Sequence, residues 1–501
     1  MGKRPMNPKV RKIWLLGLLK KIQNYLGRQI EKIESRNLQP AMSFRPGFWQ
    51  KEIRPPQTLS FILGAVLCLP FIYSPFQYSW FNIFIGALII GLIWLVGIIL
   101  LKFISPAVLT DREQVLLVNF LLVLAAILNA LKQQYGYNLG LIALPTVTFL
   151  SVILLGPPPA ISITIIAAIM LSLASLNYLS EILPQILLAL WLIRLGDRVR
   201  HRQEIVRIGF LLAAGYFLIL SLLQLLYQSW QPADFLHLII QSLVNGFLVA
   251  LVVLTLTPYL EIFFSRLTDI KLLELADFNQ PLLRRLMLEA PGTYHHSLLV
   301  ASLAESAARS IGARDLLARV GAYYHDIGKL TKPEYFIENQ SGDNPHAQVN
   351  PEISTTVITA HIREGVKLAQ QYKLPSPLID FIQQHHGTSL IRYFYHRALE
   401  SEGNISEEKY RYSGPRPTTR ETAIVLLADS IEAASRTLPE TNASQLKNLV
   451  EDIINNKFID GQLADSPLTL NDIKKIARAF MEVLAGIFHT RIDYEEKSPA
   501  D

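Results

Sequence analysis

The chain has 501 residues, of which half are hydrophobic and only 18% charged, and its mean hydropathy is +0.29. It is too apolar for a water-soluble globule throughout and long for one domain, so an ordinary soluble single-domain enzyme is excluded. One cysteine, Cys68, excludes a disulfide framework and a thiolate zinc site. Charge then divides the chain: residues 1–266 hold 22 Lys+Arg against 10 Asp+Glu, whereas 267–501 hold 25 against 31.

Residues 1–56 form a basic N-terminal segment. Within it, 8–34 interleave Lys9, Arg11, Lys12, Lys20, Lys21 and Arg28 with Ile13, Leu15, Leu16, Leu18, Leu19, Ile22 and Leu26. That pattern predicts an amphipathic helix on a membrane surface. From 57 to 260 the chain reads as a polytopic transmembrane bundle. Its apolar runs at 58–78, 82–103, 114–131, 138–156, 158–176, 179–196, 205–228 and 236–258 approach the ~20 residues that cross a ~30 Å hydrocarbon core. Pro145, Pro157 to Pro159 and Pro184 interrupt the middle of this series.

Placing the N-terminus inside puts every Lys and Arg before 267 except Lys132 on the cytoplasmic side. An even number of spans returns the C-terminal half to the cytoplasm, and a bacterial plasma membrane is the expected location. Charged residues are scarce inside the spans, with Glu181 near an end, which disfavours a pump or coupled transporter and favours an anchor or sensor.

A linker at 261–290 leads to a soluble all-α half at 291–490 and a polar tail at 491–501. No sustained alternation of apolar and polar residues signals a strand. Apolar spacing predicts helices at 293–311, 351–372, 376–386 and 420–436. Seven of the eleven histidines fall within 295–386. His296 shares a helix face with Leu299, Val300 and Leu303, and His361 with Val357, Ile358 and Leu368. His385 and His386 follow Leu378 and Ile382, and Asp429 sits one turn after Val425.

A single inward histidine is usually a hydrogen-bonded core residue. Five of them with Asp326 and Asp429 are satisfied most simply by metal ions. Nitrogen and carboxylate donors without thiolate suit Mn²⁺, Fe or another borderline divalent ion. Six or seven ligands exceed the needs of one ion, so two are expected, with Asp326 the natural bridge.

These residues sit in motifs that resemble the HD phosphohydrolase superfamily and, within it, the membrane-bound seven-transmembrane-receptor HD family. The motifs are Ala290-Pro-Gly-Thr-Tyr-His-His-Ser297, His325-Asp-Ile-Gly-Lys329, Tyr335-Phe-Ile-Glu-Asn-Gln340, Asn344-Pro-His346, Gln384-His-His-Gly387, Tyr410-Arg-Tyr-Ser-Gly-Pro-Arg-Pro417 and Leu427-Ala-Asp-Ser430. The resemblance covers about 57–490 and implies an HD domain over 291–490. It also implies the metal ligands His296, His325, Asp326, His361, His385, His386 and Asp429.

The PgpH-type members of that family hydrolyse cyclic di-AMP. The activity implied is attack of a metal-bridging hydroxide on the phosphodiester, giving linear 5′-pApA. Asp326 and Lys329 are the expected catalytic pair, and Lys329, Arg411, Arg416 and His346 the expected substrate-binding residues. The implied partners are cyclic di-AMP and the lipid bilayer, with no DNA or RNA polymer and with a homodimer left open.

Two departures stand out. The family carries a large extracellular domain between its first two spans, where this chain has only about Ser79 to Phe81; and Ser413 replaces the usual proline. Cyclic di-GMP, another nucleotide, or a non-catalytic nucleotide receptor are the alternatives. The Gly-Tyr-Pro signature of the cyclic di-GMP branch is missing after His386.

Overall fold

The computed structural model describes residues 80–489 apart from 136–141, 175–178, 198, 227–233, 341, 343, 404 and 437–442, together with residues 63, 64, 66 and 68. The amphipathic helix expected at 8–34, most of the expected span at 58–78 and the tail at 491–501 lie outside the described residues.

The other seven expected spans are helices: α1 (Trp80–Ile104), α3 (Arg112–Tyr135), α4 (Ala143–Leu155), α5 (Pro157–Ala174), α6 (Leu179–Gly196), α7 (Arg202–Leu226) and α8 (Asp234–Phe263), with a short α2 (Pro106–Thr110) after the first. Helices α1, α3, α7 and α8 are long and apolar enough to cross a membrane, and α4 to α6 contribute shorter apolar stretches. Helix α4 has only 13 residues, about 20 Å at 1.5 Å per residue, which is short for the expected span at 138–156.

The local chain explains where α4 stops. Gly156 takes a positive φ of 86° and its N–H donates to the Val152 carbonyl, while Pro157, lacking an N–H, opens α5. Nearly all of α4 is buried, packed against α3, α5, α6 and α8. Polar pairs hold the bundle where lipid offers no partner: Thr148 with Thr164 at 2.9 Å, and Trp94 Nε1 donating to Asn119 Oδ1 at 3.2 Å.

The C-terminal half adds α9 (Asp269–Leu275), α10 (Pro281–Glu289), α11 (Pro291–Ser310), α12 (Asp315–Tyr324), α13 (Pro351–Gln371), α14 (Ser376–Gln384), α15 (Arg392–Glu402), α16 (Arg420–Ser435), α17 (Ala443–Ile459) and α18 (Leu470–His489). The four helices expected from periodicity correspond to α11, α13, α14 and α16. Among the described residues there is no strand; Leu390 and Arg411 form an isolated bridge.

The core of this half runs from Leu267 to Leu484 and is separate from the membrane bundle's core. Helix α16 lies at its centre, with Ala423, Ile424, Val425, Leu426, Leu427, Ala428 and Ile431 inaccessible to solvent. Each large aliphatic side chain so buried contributes about 1.5–3 kcal/mol. Thr419 caps α16, accepting from the Thr422 N–H while Thr422 Oγ1 accepts from the Thr419 N–H. That fixes the register in which Asp429 faces inward.

Salt bridges join the bundle to this half near α12. Arg200, between α6 and α7, meets Asp315 at 3.3 Å, and Arg202 meets Glu274 at 2.6 Å. Arg314 donates to the Leu267 carbonyl at 3.0 Å. Asp315 opens the helix whose other end carries His325 and Asp326.

Candidate metal centre

Five helices deliver the seven side chains. His296 lies in the second turn of α11, His361 midway along α13 and Asp429 midway along α16. His325 and Asp326 leave the C-terminus of α12, and His385 and His386 that of α14. A close backbone approach brings α13 in: a Cβ on Gly328 would stand 1.8 Å from the His361 carbonyl oxygen. Only glycine lets the turn after Asp326 lie flat on α13. After His386, Gly387 takes φ +55°, turning the chain away from the site.

The side chains form two groups that share Asp326. One is Asp326, His361, His385 and His386; the other is His296, His325, Asp326 and Asp429. In each, one donor atom per residue lies within 4.8 Å of every other. Asp326 Oδ1 is 3.4 Å from His361 Nε2 and 3.5 Å from His385 Nε2. Its Oδ2 is 3.2 Å from His325 Nε2 and 3.5 Å from His296 Nε2. Asp429 Oδ1 is 3.1 Å from His296 Nε2, and its Oδ2 is 3.4 Å from His386 Nδ1.

The outer contacts set the tautomers. Nδ1–H of His325 donates to the Ala322 carbonyl at 2.7 Å and that of His361 to Ile358 at 2.6 Å; His385 Nδ1–H is shared between Phe381 and Ile382, each at 3.0 Å. Each ring therefore presents an Nε2 lone pair to the centre. His296 Nδ1 is held by Glu432 at 2.5 Å, the carboxylate–histidine pairing that orients metal ligands.

The inward atoms are only partly compensated. His296 Nε2, His325 Nε2 and both oxygens of Asp326 are buried and make no well-formed hydrogen bond, although Lys329 Nζ lies 2.8 Å from Asp326 Oδ2 and Asp429 Oδ1 3.1 Å from His296 Nε2. The Nε2 atoms of His361 and His385 face each other at 3.2 Å. Burying such groups unpaired costs several kcal/mol. Lone pairs converging on a common point fit a divalent cation and are hard to satisfy otherwise. The residues present thus fit the metal-binding His/Asp cluster of an HD hydrolase.

Charge is polarised across the cluster. Burial opposes the ionised form of Asp326, but His325 and the Lys329 ammonium outweigh it and hold this carboxylate well below the usual range. Asp429 is likewise held low, despite burial, by its hydrogen bond to His296 and by His386. Burial opposes protonation of His296, yet its bonds to Asp429 and Glu432 carry its pKa up to about 9. Burial lowers His361 to about 4 despite Asp326, and burial with the neighbouring His385 lowers His386.

The other residues singled out from sequence are placed as follows. Lys329 is buried between Asp326 at 2.8 Å and Glu338 at 2.7 Å, and these anions overcome burial and raise its pKa. Arg411 pairs with Asp460 and Glu407, both at 3.0 Å, and Arg416 Nε reaches Thr388 Oγ1 at 3.4 Å. His346 packs on Tyr335 and Phe394 and donates from Nε2 to the Tyr335 carbonyl, away from the cluster. His295, neighbour of His296, is exposed.

Three residues escape sequence reasoning. Glu432 follows Asp429 by three positions on an apolar helix, a signal that periodicity could have yielded. Glu338 closes on Lys329 and accepts from Thr293 Oγ1 at 3.0 Å. Tyr412 stacks on His386, with ring centroids 4.2 Å apart at 26°, and burial keeps its phenol protonated. Neither Glu338 nor Tyr412 shows a periodicity, since both lie in non-helical or short 3₁₀ segments.

Comparison with known proteins places two family models in tandem. The 7TM receptor with intracellular HD hydrolase matches residues 80–268, and the HD domain matches 293–434. The cyclic-di-AMP phosphodiesterase PgpH of Bacillus subtilis (strain 168) is 42% identical over 297 residues, 59% of this chain and 42% of the relative. The protein of the same name from Listeria monocytogenes serotype 1/2a (strain 10403S) is 43% identical over 256 residues, 51% of this chain and 36% of the relative. The chain thus spans less than half the length of these curated relatives. The crystal structure of the L. monocytogenes phosphodiesterase PgpH HD domain in complex with cyclic-di-AMP is 45% identical, covering 42% of this chain and all of that one with a TM-score of 0.42.

Proposed function

The chain belongs to the family of seven-transmembrane receptors with an intracellular HD hydrolase, and we propose that it is a membrane-bound phosphodiesterase that opens cyclic di-AMP to linear 5′-pApA. The observation that carries this reading is the pair of converging donor groups that share Asp326 and bury lone pairs without well-formed hydrogen bonds. The names of the two relatives support the substrate.

The donor set suits two divalent transition-metal ions, manganese or iron, held by His296, His325, Asp326, His361, His385, His386 and Asp429 with Asp326 common to both. When bound, such ions neutralise phosphate charge and acidify water. The remaining work falls to the chain. Glu432 and the carbonyls behind His325, His361 and His385 keep four of the five rings in their ligating tautomer. Lys329 holds Asp326 ionised and aimed. Arg411, Arg416 and His346 shape the loops beside the site, which receive the rest of the dinucleotide. In-line attack by water forms one P–O bond, breaks the bond to the ribose 3′-oxygen and releases one water proton, which restores the phenol of Tyr412 after it has protonated the departing oxygen. The Tyr412 phenol, beside His386 and protonated, supplies a proton to that departing oxygen.

The domain boundaries proposed are 1–56, 57–260, 261–290, 291–490 and 491–501. The membrane proposed is a bacterial plasma membrane, with the N-terminus and the HD half in the cytoplasm, a reading the charge asymmetry supports.

The test uses the full chain in detergent with Mn²⁺, given cyclic di-AMP and cyclic di-GMP separately, with products resolved by chromatography. The expected result is pApA from cyclic di-AMP. Faster cleavage of cyclic di-GMP would replace the substrate, and tight binding without turnover would make the protein a receptor.

A further inference from the structure

Lys457, on α17, lies beyond the residues that match the HD-domain model, which end at 434. Its Nζ donates to Ser389 Oγ at 2.7 Å, and among the described residues it makes no ion pair. Ser389 belongs to the wall of the centre: its N–H donates to the His386 carbonyl at 3.1 Å, and its carbonyl accepts from the Tyr412 N–H at 3.1 Å. The lysine therefore stands behind the stacked pair of His386 and Tyr412.

A largely buried ammonium satisfied only by a neutral hydroxyl is costly. Burial lowers its pKa, against the attraction of Asp429 and Asp460. Two cations nearby are already matched, Lys329 by Asp326 and Glu338 and Arg411 by Asp460 and Glu407, while Arg416 reaches only the Thr388 hydroxyl. With Asp429 committed to a metal ion and Asp460 paired with Arg411, Lys457 has no carboxylate of its own, and an anionic ligand entering the centre supplies a counter-charge.

We propose that Lys457 is a substrate-binding residue whose ammonium, held in place by Ser389, receives a phosphate oxygen of the nucleotide. This deepens the phosphodiesterase reading and rests on it for the identity of the anion. It adds to the site a cation from outside the five helices that carry the ligands.

Three variants of the full chain separate charge from support. Lys457→Gln keeps a hydrogen bond to Ser389 without the charge, Lys457→Arg keeps both, and Lys457→Met keeps neither. The expected result for Gln and Met is a KM for cyclic di-AMP raised roughly 10- to 100-fold, the worth of a charged hydrogen bond, with kcat little changed. Arg restores most of the loss, and Mn²⁺ content equals that of the wild type in all three.

Calorimetric titration of inorganic phosphate into the Mn²⁺-loaded protein gives a readout independent of turnover, and its affinity should fall by a similar factor in Gln. Wild-type KM and phosphate affinity in Lys457→Gln would overturn the proposal. A wild-type chain that cleaves no cyclic dinucleotide, yet loses phosphate affinity in Lys457→Gln, would sink the phosphodiesterase reading and leave the anion site standing. Should Lys457→Met fail to fold, the Gln and Arg variants carry the test.

Discussion

Glu432 and His296 show how one contact governs the chemistry of its neighbour. The carboxylate at 2.5 Å from Nδ1 fixes the ring and raises its basicity, and removing such a partner typically costs 10–100-fold in metal affinity. Glu432→Gln is therefore expected to weaken Mn²⁺ binding by roughly that factor, measured by competition with a chelating dye; unchanged affinity would detach Glu432 from the centre.

The same contact predicts a pH dependence. A histidine raised to about 9 carries a proton at neutral pH in the metal-free protein, whereas His361, lowered to about 4, does not. Metal must displace the His296 proton, so apparent affinity rises with pH and flattens above about 9. Without metal the sign for stability is opposite: the raised pKa of His296 stabilises the fold below the ordinary histidine value and is lost as pH rises through about 9. Calorimetry at pH 7.5 in buffers of differing ionisation enthalpy should show a proton released on Mn²⁺ binding; no release would contradict the assignment.

At the scale of elements, the expected ligand residues were legible in two ways: His296, His361 and Asp429 lie on inward helix faces, and His325, Asp326, His385 and His386 follow the ends of periodic helices. The choice of His296 over His295 rests on the resemblance, in which the family's ligand directly precedes the Ser-Leu of this helix, and the structure buries His296 and exposes His295; Asp429 is read from its place one turn after Val425. What periodicity could not reach are contacts made across elements. Glu338 meets Lys329 through a 3₁₀ turn, and the approach of Gly328 to His361 depends on how α13 crosses the turn after Asp326. Gly328→Ala would push a Cβ into the His361 carbonyl. That variant should lose bound metal while its far-ultraviolet circular dichroism stays helical, and a variant with full metal content would refute the close-approach argument.

Packing makes a second demand at this scale. Phe381, on α14, is 1% exposed and lies where a Cβ on Gly321 would clash with its ring at 2.5 Å. Phe381→Ala should cost about 3–5 kcal/mol in unfolding free energy, read from denaturant melts, and should loosen the His385-His386 turn that α14 carries.

For the whole molecule, charge and hydropathy divide the chain near residue 266, and the structure holds two apolar core clusters, one reaching Ile270 and the other starting at Leu267. The middle spans were less legible. Their prolines flagged a disturbance, and Gly156 with Pro157 ends α4 locally; that neighbouring helices surround α4 in place of lipid is a tertiary fact the sequence does not carry. The basic residues fix the expected orientation. In cells, a cysteine placed at Lys132 should react with a membrane-impermeant thiol reagent from outside, and one placed at Arg202 only after the membrane is opened; the reverse pattern would overturn the topology. The salt bridges from Arg200 and Arg202 to the HD half are partly exposed, so each is worth less than about 1 kcal/mol. They orient the halves more than they stabilise them.

The central claim is that Asp326 is shared between two metal sites and that this shared centre cleaves the phosphodiester. The most direct measurement strips the full chain of metal and follows pApA formation from cyclic di-AMP as Mn²⁺ is returned in known equivalents. The account predicts no product from the stripped protein, a rate that climbs to a plateau at about two equivalents, and none at any equivalent in Asp326→Ala. Turnover that survives stripping, or that survives loss of the Asp326 carboxylate, would contradict it.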